Sequence, residues 1–487
     1  MLARLTCAAA LATSVAACDQ GLTEINDNPN SPTSVQPPLL FANALTDATG
    51  RAGFDINLTG LWAQHFSNTR FTEPTRYAIT ASQMNNAWSG FYSGGLEDLQ
   101  TIINTTTAEE SPNLLGPALV MKSFLFGMMT DLWGDIPYSL ALTGDATTPP
   151  AYDRQQDIYA GMFADLTTAS NMLGGAGPTY GSADLFYNGD PAKWKRFANS
   201  LRLRHALRLT KVDPGTAETE ALAAIAAGVL TSNADMPLLK YPGDGSNDSP
   251  LYNTFRTRED QHLSEALVDT MKHLYISIAA NDTTFDPRLA VYANPIVASP
   301  DRALYVGQPS GVSESDATLF GLTKTSKPGN FYTARTTPAI LMSYADVLLD
   351  QAEVAARGWG TGDPASLYAA GVRASMQYNQ IPEAQITAYL ASPRVAYVPA
   401  TGLAQIQLQK WIALYGQGVE AWIEYRRTNV PNLVAGPAVV TTPQIVPRRF
   451  LYPTSEQSFN NANLQAALAA QGGAGQNLVD RVWWDVP

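Results

Sequence analysis

Cysteine is almost missing from this chain: there are two in 487 residues, Cys7 and Cys18, both within the first 18 positions. That excludes a disulfide framework, a zinc ribbon and a thiol nucleophile from the body of the protein. Histidine is as scarce, with four at positions 65, 205, 262 and 273 and no HExxH-type pair, so no transition-metal site is expected. Positive charge is short too, because 31 Lys and Arg face 43 Asp and Glu, a net charge of −12. A nucleic-acid binder needs a basic face and adsorption onto anionic lipid needs a basic cluster, and this balance argues against both. There is no P-loop, no G-x-S-x-G elbow and no G-x-G-x-x-G after a strand. An uninterrupted apolar run of membrane-spanning length is also absent. The nearest, within 114–142, is split by Lys122 and falls short of the roughly 20 residues a spanning helix needs.

What is present is mostly helix. Residues 118–132 are apolar on nearly every face, as a helix buried in a large core would be. Pro117 is expected in its first turn, Gly134 as its left-handed cap, and Pro137 as the residue that stops it resuming. Further helices are expected at 39–49, 56–66, 82–104, 155–173, 191–210 and 217–227, the 191–210 helix opening on Asp190-Pro191 as N-cap and first position. A second block is expected at 338–357, 364–378, 383–390 and 404–427. Between the blocks, 231–262 and 281–337 are rich in Gly, Pro, Ser, Asn and Asp, with short strands expected at 238–241 and 304–306. Long irregular stretches of this kind usually carry function. The fold class is therefore mainly α, a helical-repeat framework with long irregular loops and a few short strands.

The N-terminus reads as an address. Residues 1–17 form a signal-peptide pattern with Arg4, an apolar stretch and small residues before Cys18. Val15-Ala16-Ala17-Cys18 is similar to a lipobox, in which the cysteine is lipidated, palmitate being one of its acyl chains. Residues 18–38 then read as lipidated N-terminus and flexible tether, and 39–487 as one globular domain. A lipid anchor without a later spanning segment places the protein on a membrane rather than through it.

Several motifs carry a family resemblance. Leu132-Trp133-Gly134-Asp135-Ile136-Pro137-Tyr138-Ser139 is one. Another runs from Ser343-Tyr344-Ala345-Asp346 through Gln351-Ala352-Glu353 to Arg357-Gly358-Trp359. Gln409-Lys410-Trp411, Gln417-Gly418, Glu420-Ala421-Trp422, Glu424-Tyr425-Arg426-Arg427-Thr428, Arg448-Arg449-Phe450 and Trp483-Trp484-Asp485 follow in order. Together they resemble the SusD/RagB family of nutrient-binding outer-membrane lipoproteins. The resemblance implies tetratricopeptide-like helix pairs, a lipid-anchored place at the cell surface, and a SusC-like TonB-dependent transporter as partner. It also implies capture of an oligosaccharide or peptide ligand through loops, with no catalysis and no cofactor. Glu353, Glu420, Glu424, Arg426 and Arg427, set among Trp and Ala, are expected to form a buried ion network, since buried charges need partners.

Aromatic faces mixed with amides and arginines suit sugar or peptide binding. Two places offer that mix: Trp62, His65, Asn68, Arg70, Phe71 and Tyr77 in the first, and Tyr252, Arg256, Phe331 and Tyr332 in the middle region. Asp244-Gly245-Ser246-Asn247-Asp248 has oxygen ligands for calcium but lacks the spaced glutamate of an EF-hand, so a solvated turn is expected instead. Two other readings are a glycan-acting hydrolase on a helical scaffold and a structural outer-membrane lipoprotein. A hydrolase would use two carboxylates, and Asp131 with Asp135 is the tempting pair. Helix capping is the competing explanation for both.

Overall fold

The apolar stretch forms a central helix, Pro112–Trp133, with 19 of its 22 residues buried, so it is enclosed on all sides rather than packed on one face. A computed structural model of the chain describes residues 36–52, 57–144, 149–273, 285–296 and 304–487. The expected signal segment, Cys18 and the tether as far as residue 35 lie outside the described residues. Pro112, not Pro117, takes the first helical position, and Pro117 lies inside the helix. Gly134 ends it at φ 89°, a left-handed value that a side chain would strain.

Successive helices stack around this one. Pro112–Trp133 packs on Glu97–Thr105 and Gln155–Met172, Gln155–Met172 on Pro191–Arg208, and Pro191–Arg208 on Pro214–Ala227. Asp190 caps Pro191–Arg208 by accepting from the Ala192 and Lys193 amides, as the Asp-Pro pair predicts. In the second block Tyr344–Ala356 packs on Pro364–Tyr378 and Gly402–Ala413, and it also touches Pro191–Arg208, which joins the two blocks.

Several expected elements differ, and the helix expected over 338–357 begins only at Tyr344, because Ala339–Ile340 ahead of it is a strand. The helix over 82–104 is broken into Asn85–Phe91 and Glu97–Thr105 by a π turn at Tyr92–Leu96. Gly94 leaves helical geometry there because Asp47, on the facing Pro37–Ala52 helix, receives the Gly95 amide at 3.1 Å. A Cβ on Gly94 would lie 3.0 Å from the Asp47 carboxylate, so a side chain there would push Asp47 aside. The expected 404–427 helix is two, Gly402–Ala413 and Gly418–Thr428, with Gly416 at φ 83° between them. Expected helix 56–66 shrinks to Thr59–Trp62, because Phe66 enters a strand.

Strands are few and short. β1 (Phe66–Asn68) pairs antiparallel with β3 (Gln261–Leu263), Asn68 opposite Gln261. β2 (Leu238–Leu239) pairs antiparallel with β4 (Ala339–Ile340). The strand expected at 304–306 does not form, although the Val306 carbonyl accepts from the Ser326 amide.

The main apolar core takes residues from Phe41 to Trp484, and two smaller clusters, around Tyr368 and around Leu348, lie within the second block. Six tryptophans are fully buried in the structure: Trp62, Trp133, Trp194, Trp411, Trp422 and Trp484. Each indole N–H has an acceptor, for example Trp133 to the Leu451 carbonyl at 2.9 Å and Trp411 to the Ala63 carbonyl at 3.0 Å. A buried indole would otherwise cost the energy of an unmade hydrogen bond.

The charged residues of the C-terminal motifs knit the helices together, as the sequence predicts. Arg427 holds Glu353 through two bonds of 2.7 Å and Glu424 at 2.5 Å. Lys410, with no exposed surface, faces Asp350, Asp346 at 3.2 Å and Glu424 at 3.3 Å. Arg204 pairs with Asp346, and Arg208 with Glu420, each at 2.5 Å. Burial pushes the Glu424 carboxyl upward, but Arg427 and Lys410 outweigh it and hold the group below its ordinary range. Arg426 is different: its guanidinium lies 3.9 Å from the Trp422 ring centroid and donates to the Asp131 and Arg448 carbonyls.

Candidate functional site

The pairing of β1 with β3 creates the site. At the end of β1 the chain turns sharply, and Phe71 takes φ 55°, a left-handed conformation that is costly for a bulky residue. The turn is held from both sides. Asn68 donates through Nδ2 to the Phe71 carbonyl at 3.0 Å, and Glu314 accepts the Phe71 and Thr72 amides at 3.1 and 3.0 Å. As a result the Phe71 ring stands out from the surface, 59% exposed in a chain whose large aromatics are mostly buried. The Arg258 guanidinium lies 5.2 Å from the ring centroid, itself held by Asp260 at 2.9 and 2.6 Å.

Phe71 forms part of the wall of a depression of about 870 Å³, with Asn68, Arg70, Gln83, Arg258 and Gln261 among its other lining residues. Asn68 Oδ1 and Gln261 Oε1 are buried and have no hydrogen-bond donor. The depression thus offers an apolar ring and two guanidiniums, above two buried amide oxygens that lack donors. It suits a ligand with C–H faces and hydroxyl or amide donors.

The sequence singled out three of these residues, Asn68, Arg70 and Phe71, and missed Arg258, Gln261 and Gln83. Arg258 and Gln261 do fall in the irregular 231–262 stretch. Four other candidates belong to the core instead, which corrects the expectation that they meet ligand. Trp62 is fully buried against Trp422 and Phe450, at 5.0 and 5.4 Å between centroids. His65 is fully buried, its Nε2 2.9 Å from the Trp411 carbonyl, and burial lowers its pKa to about 3. Tyr77 packs edge-on to Trp62. Tyr332 donates to Asn379 Oδ1 at 2.8 Å beneath Tyr292 and Tyr415. The last three candidates lie elsewhere. Tyr252 is half-buried beneath the Arg335 guanidinium, Arg256 is exposed, and Phe331 packs edge-on to Tyr378. None of them lines the depression.

The Asp244–Asp248 loop folds as a turn. Asp244 accepts the Ser246 and Asn247 amides at 2.9 and 2.8 Å, and Asp248 is held by Arg335 at 3.1 and 3.0 Å. Arg335 supplies the positive charge there. The Asp131 and Asp135 carboxylates also have structural partners. Asp131 accepts from Tyr159 at 2.6 Å and Trp484 at 2.7 Å and faces Arg208, so it belongs to the ion network rather than to a cap. Asp135 accepts the Gln155 amide at 2.9 Å, at the start of the next helix. No group of three or more His, Cys, Asp or Glu side chains is placed to hold a metal among the described residues. No helix among them is long and apolar enough to cross a membrane.

A stacked-helix framework that presents an aromatic, amide-lined depression on its loops defines a binding protein built on helical repeats. Residues 29–453 match the SusD-like family described as "starch-binding associating with outer membrane", and the chain belongs to that family. Among solved structures it is similar to a chitin-binding protein, with 30% identity, a TM-score of 0.81, and coverage of 93% of this chain and 100% of that one. It is also similar to a chitin-binding SusD homologue from Flavobacterium johnsoniae, with 27% identity, a TM-score of 0.78, and coverage of 92% and 97%. A SusD homologue from Parabacteroides distasonis, 23% identical with a TM-score of 0.79 over 93% and 98% of the two chains, shares the fold. Among proteins of curated function there is no sequence match.

Proposed function

We propose that this protein is a cell-surface glycan-binding lipoprotein, anchored through Cys18, that captures an oligosaccharide in the Phe71 depression and delivers it to a SusC-like TonB-dependent transporter. The observation that carries the reading is the exposed Phe71 ring, fixed in a left-handed turn by Glu314 beside two amide oxygens that lack donors. A pyranose lays its C–H face on the ring while its hydroxyl or N-acetyl N–H groups donate to Asn68 Oδ1 and Gln261 Oε1. Arg258 and Arg70 fix orientation from the side. The turn is pre-ordered, so little conformational entropy is lost on binding. The protein's part is capture and hand-over, with no bond broken.

An oligosaccharide is favoured over a peptide because two of the similar structures are of chitin-binding proteins. Oligomers of N-acetylglucosamine are therefore the first ligands to try. The test has two arms on the natural protein. Pull-down on insoluble chitin and starch should retain the wild type. Mild-detergent purification from its native membrane should bring down a large β-barrel in equal amount. Failure of the first arm overturns glycan capture, and failure of the second overturns delivery to a transporter.

A further inference from the structure

A second cavity, of about 250 Å³, shares no lining residue with the Phe71 depression. It lies where the start of the Gln155–Met172 helix meets the C-terminal segment, and Arg154, Gln155, Gln156, Gln471, Arg481 and Trp483 line it. Arg154 is exposed and makes no ion pair among the described residues, an unusual place for a cation. It precedes the first residue of an 18-residue helix, whose positive end repels it. Arg481 reaches the same space while holding Asp485 at 2.7 Å. Two guanidiniums thus border the space, with one carboxylate, Asp135, in the wall and already bonded to the first amide of the helix, and a pair of arginines is a setting in which a further carboxylate is held.

A second, independent observation points to a ligand richer than a bare anion. Gln155 is completely buried, its Nε2 donates to the Thr130 carbonyl at 2.8 Å, and its Oε1 has no donor. An acceptor left unpaired in this way destabilises the site, and a ligand hydroxyl would pair it. Asp135, also in the wall, accepts the Gln155 amide through Oδ1 and, among the described residues, has its second oxygen left for a hydroxyl donor. The Gln471 amide is already engaged with Arg449 and Tyr452, so it shapes the wall rather than adding a bond. The half-buried Trp483 supplies an aromatic surface. The volume is below the roughly 300–1,000 Å³ of drug-sized sites and suits a single sugar ring.

We infer that this cavity is a second carbohydrate site that takes a hexuronate, a sugar ring bearing a carboxylate. Its carboxylate meets Arg154 and Arg481 at the head of the helix, its hydroxyls donate to Gln155 Oε1 and Asp135, and its C–H face rests on Trp483.

The test is titration of the full chain made without lipid, as Cys18→Ala, with sodium D-glucuronate, using ligand-observed NMR. D-glucose and sodium acetate serve as controls. Wild-type side chains at the cavity should bind glucuronate in the millimolar range, with neither control competing at the same concentration. Arg154→Gln, at an exposed position outside the core, should weaken binding about tenfold without changing the melting temperature. Gln156→Glu, which adds a negative charge beside the same space, should weaken it as well. Phe71→Ala should leave it unchanged, so this result is separable from failure of the Phe71 site. No binding of glucuronate, equal competition by acetate, or undiminished binding by Arg154→Gln overturns the assignment.

Discussion

Lys410→Met is the substitution that most sharply tests the role assigned to the buried charges. Among the described residues Lys410 is the only cation paired with Asp350, and it also faces Asp346 at 3.2 Å and Glu424 at 3.3 Å, with no exposed surface on any of the four. At an effective dielectric of about 20, Coulomb's law gives roughly 5 kcal/mol per pair at such separations, most of which offsets desolvation. Methionine keeps the volume of the side chain, so the loss reads the charge and not a cavity. Removing one partner from a buried pair typically costs about 3–5 kcal/mol, and that is the expected destabilisation. It should depend on pH. Burial already holds the Asp350 carboxyl above its ordinary range even with Lys410 beside it, and without the lysine it rises further. A native state that binds more protons than the unfolded chain gains stability as pH falls, so the penalty should be smaller at pH 5.5 than at pH 8. Adding Asp350→Asn should restore part of the loss at pH 8. Urea unfolding followed by tryptophan fluorescence measures all three. A penalty below about 1 kcal/mol at both pH values would refute the claim that these residues hold the fold through a paired network.

Other consequences are as direct. Trp62→Ala removes a fully buried indole from the cluster with Trp422 and Phe450, so it should cost about 3–5 kcal/mol of stability, read by thermal melting. His65, held neutral by burial with its pKa near 3 against 6.5 when unfolded, favours the folded state above pH 6.5. That contribution is lost as pH falls from 6.5 toward 3, because the unfolded chain then binds the extra proton. Wild type should therefore lose about 1.4 kcal/mol more per pH unit over pH 4–6 than His65→Gln, whatever the absolute stability of the variant. Gly436→Ala would put a Cβ 2.0 Å from the Ser310 carbonyl oxygen, so that turn must open, which limited proteolysis would detect as a new cleavage near 431–437. Cys18→Ala should leave glycan binding by the purified protein intact and move it from the membrane to the soluble fraction on cell fractionation.

Much of the framework is legible locally. Pro364–Tyr378 and Glu383–Leu390 fall where apolar spacing and Asp-Pro or Pro starts put them, since capping and periodicity act within a few residues. The kink at Gly94 escapes such reading because its cause, Asp47, sits on another helix. The site divides along the same line. Trp62, His65 and Tyr77 share a loop-like, mixed composition with Phe71, yet β1 pairs with β3 and the helix Gly418–Thr428 packs over Thr59–Trp62, which buries all three. Phe71 stays outside because its turn is fixed by Asn68 and by Glu314, the latter 243 residues further along. Nothing near Phe71 in sequence marks that partner, nor the Arg258 that lies over its ring. The ion network was readable in kind, since charges set among tryptophans on helices must be paired, but not which carboxylate each arginine would meet.

The most direct test of glycan capture is isothermal titration of wild type and Phe71→Ala with a set of neutral oligosaccharides, N-acetylglucosamine hexamer first. Losing the exposed ring should cost about 1.4–2 kcal/mol, a roughly 10- to 30-fold rise in Kd, with the melting temperature unchanged because Phe71 is not part of the core. Equal affinity in the two proteins, or no binding of any oligosaccharide by the wild type, would contradict the assignment of this depression as the glycan site.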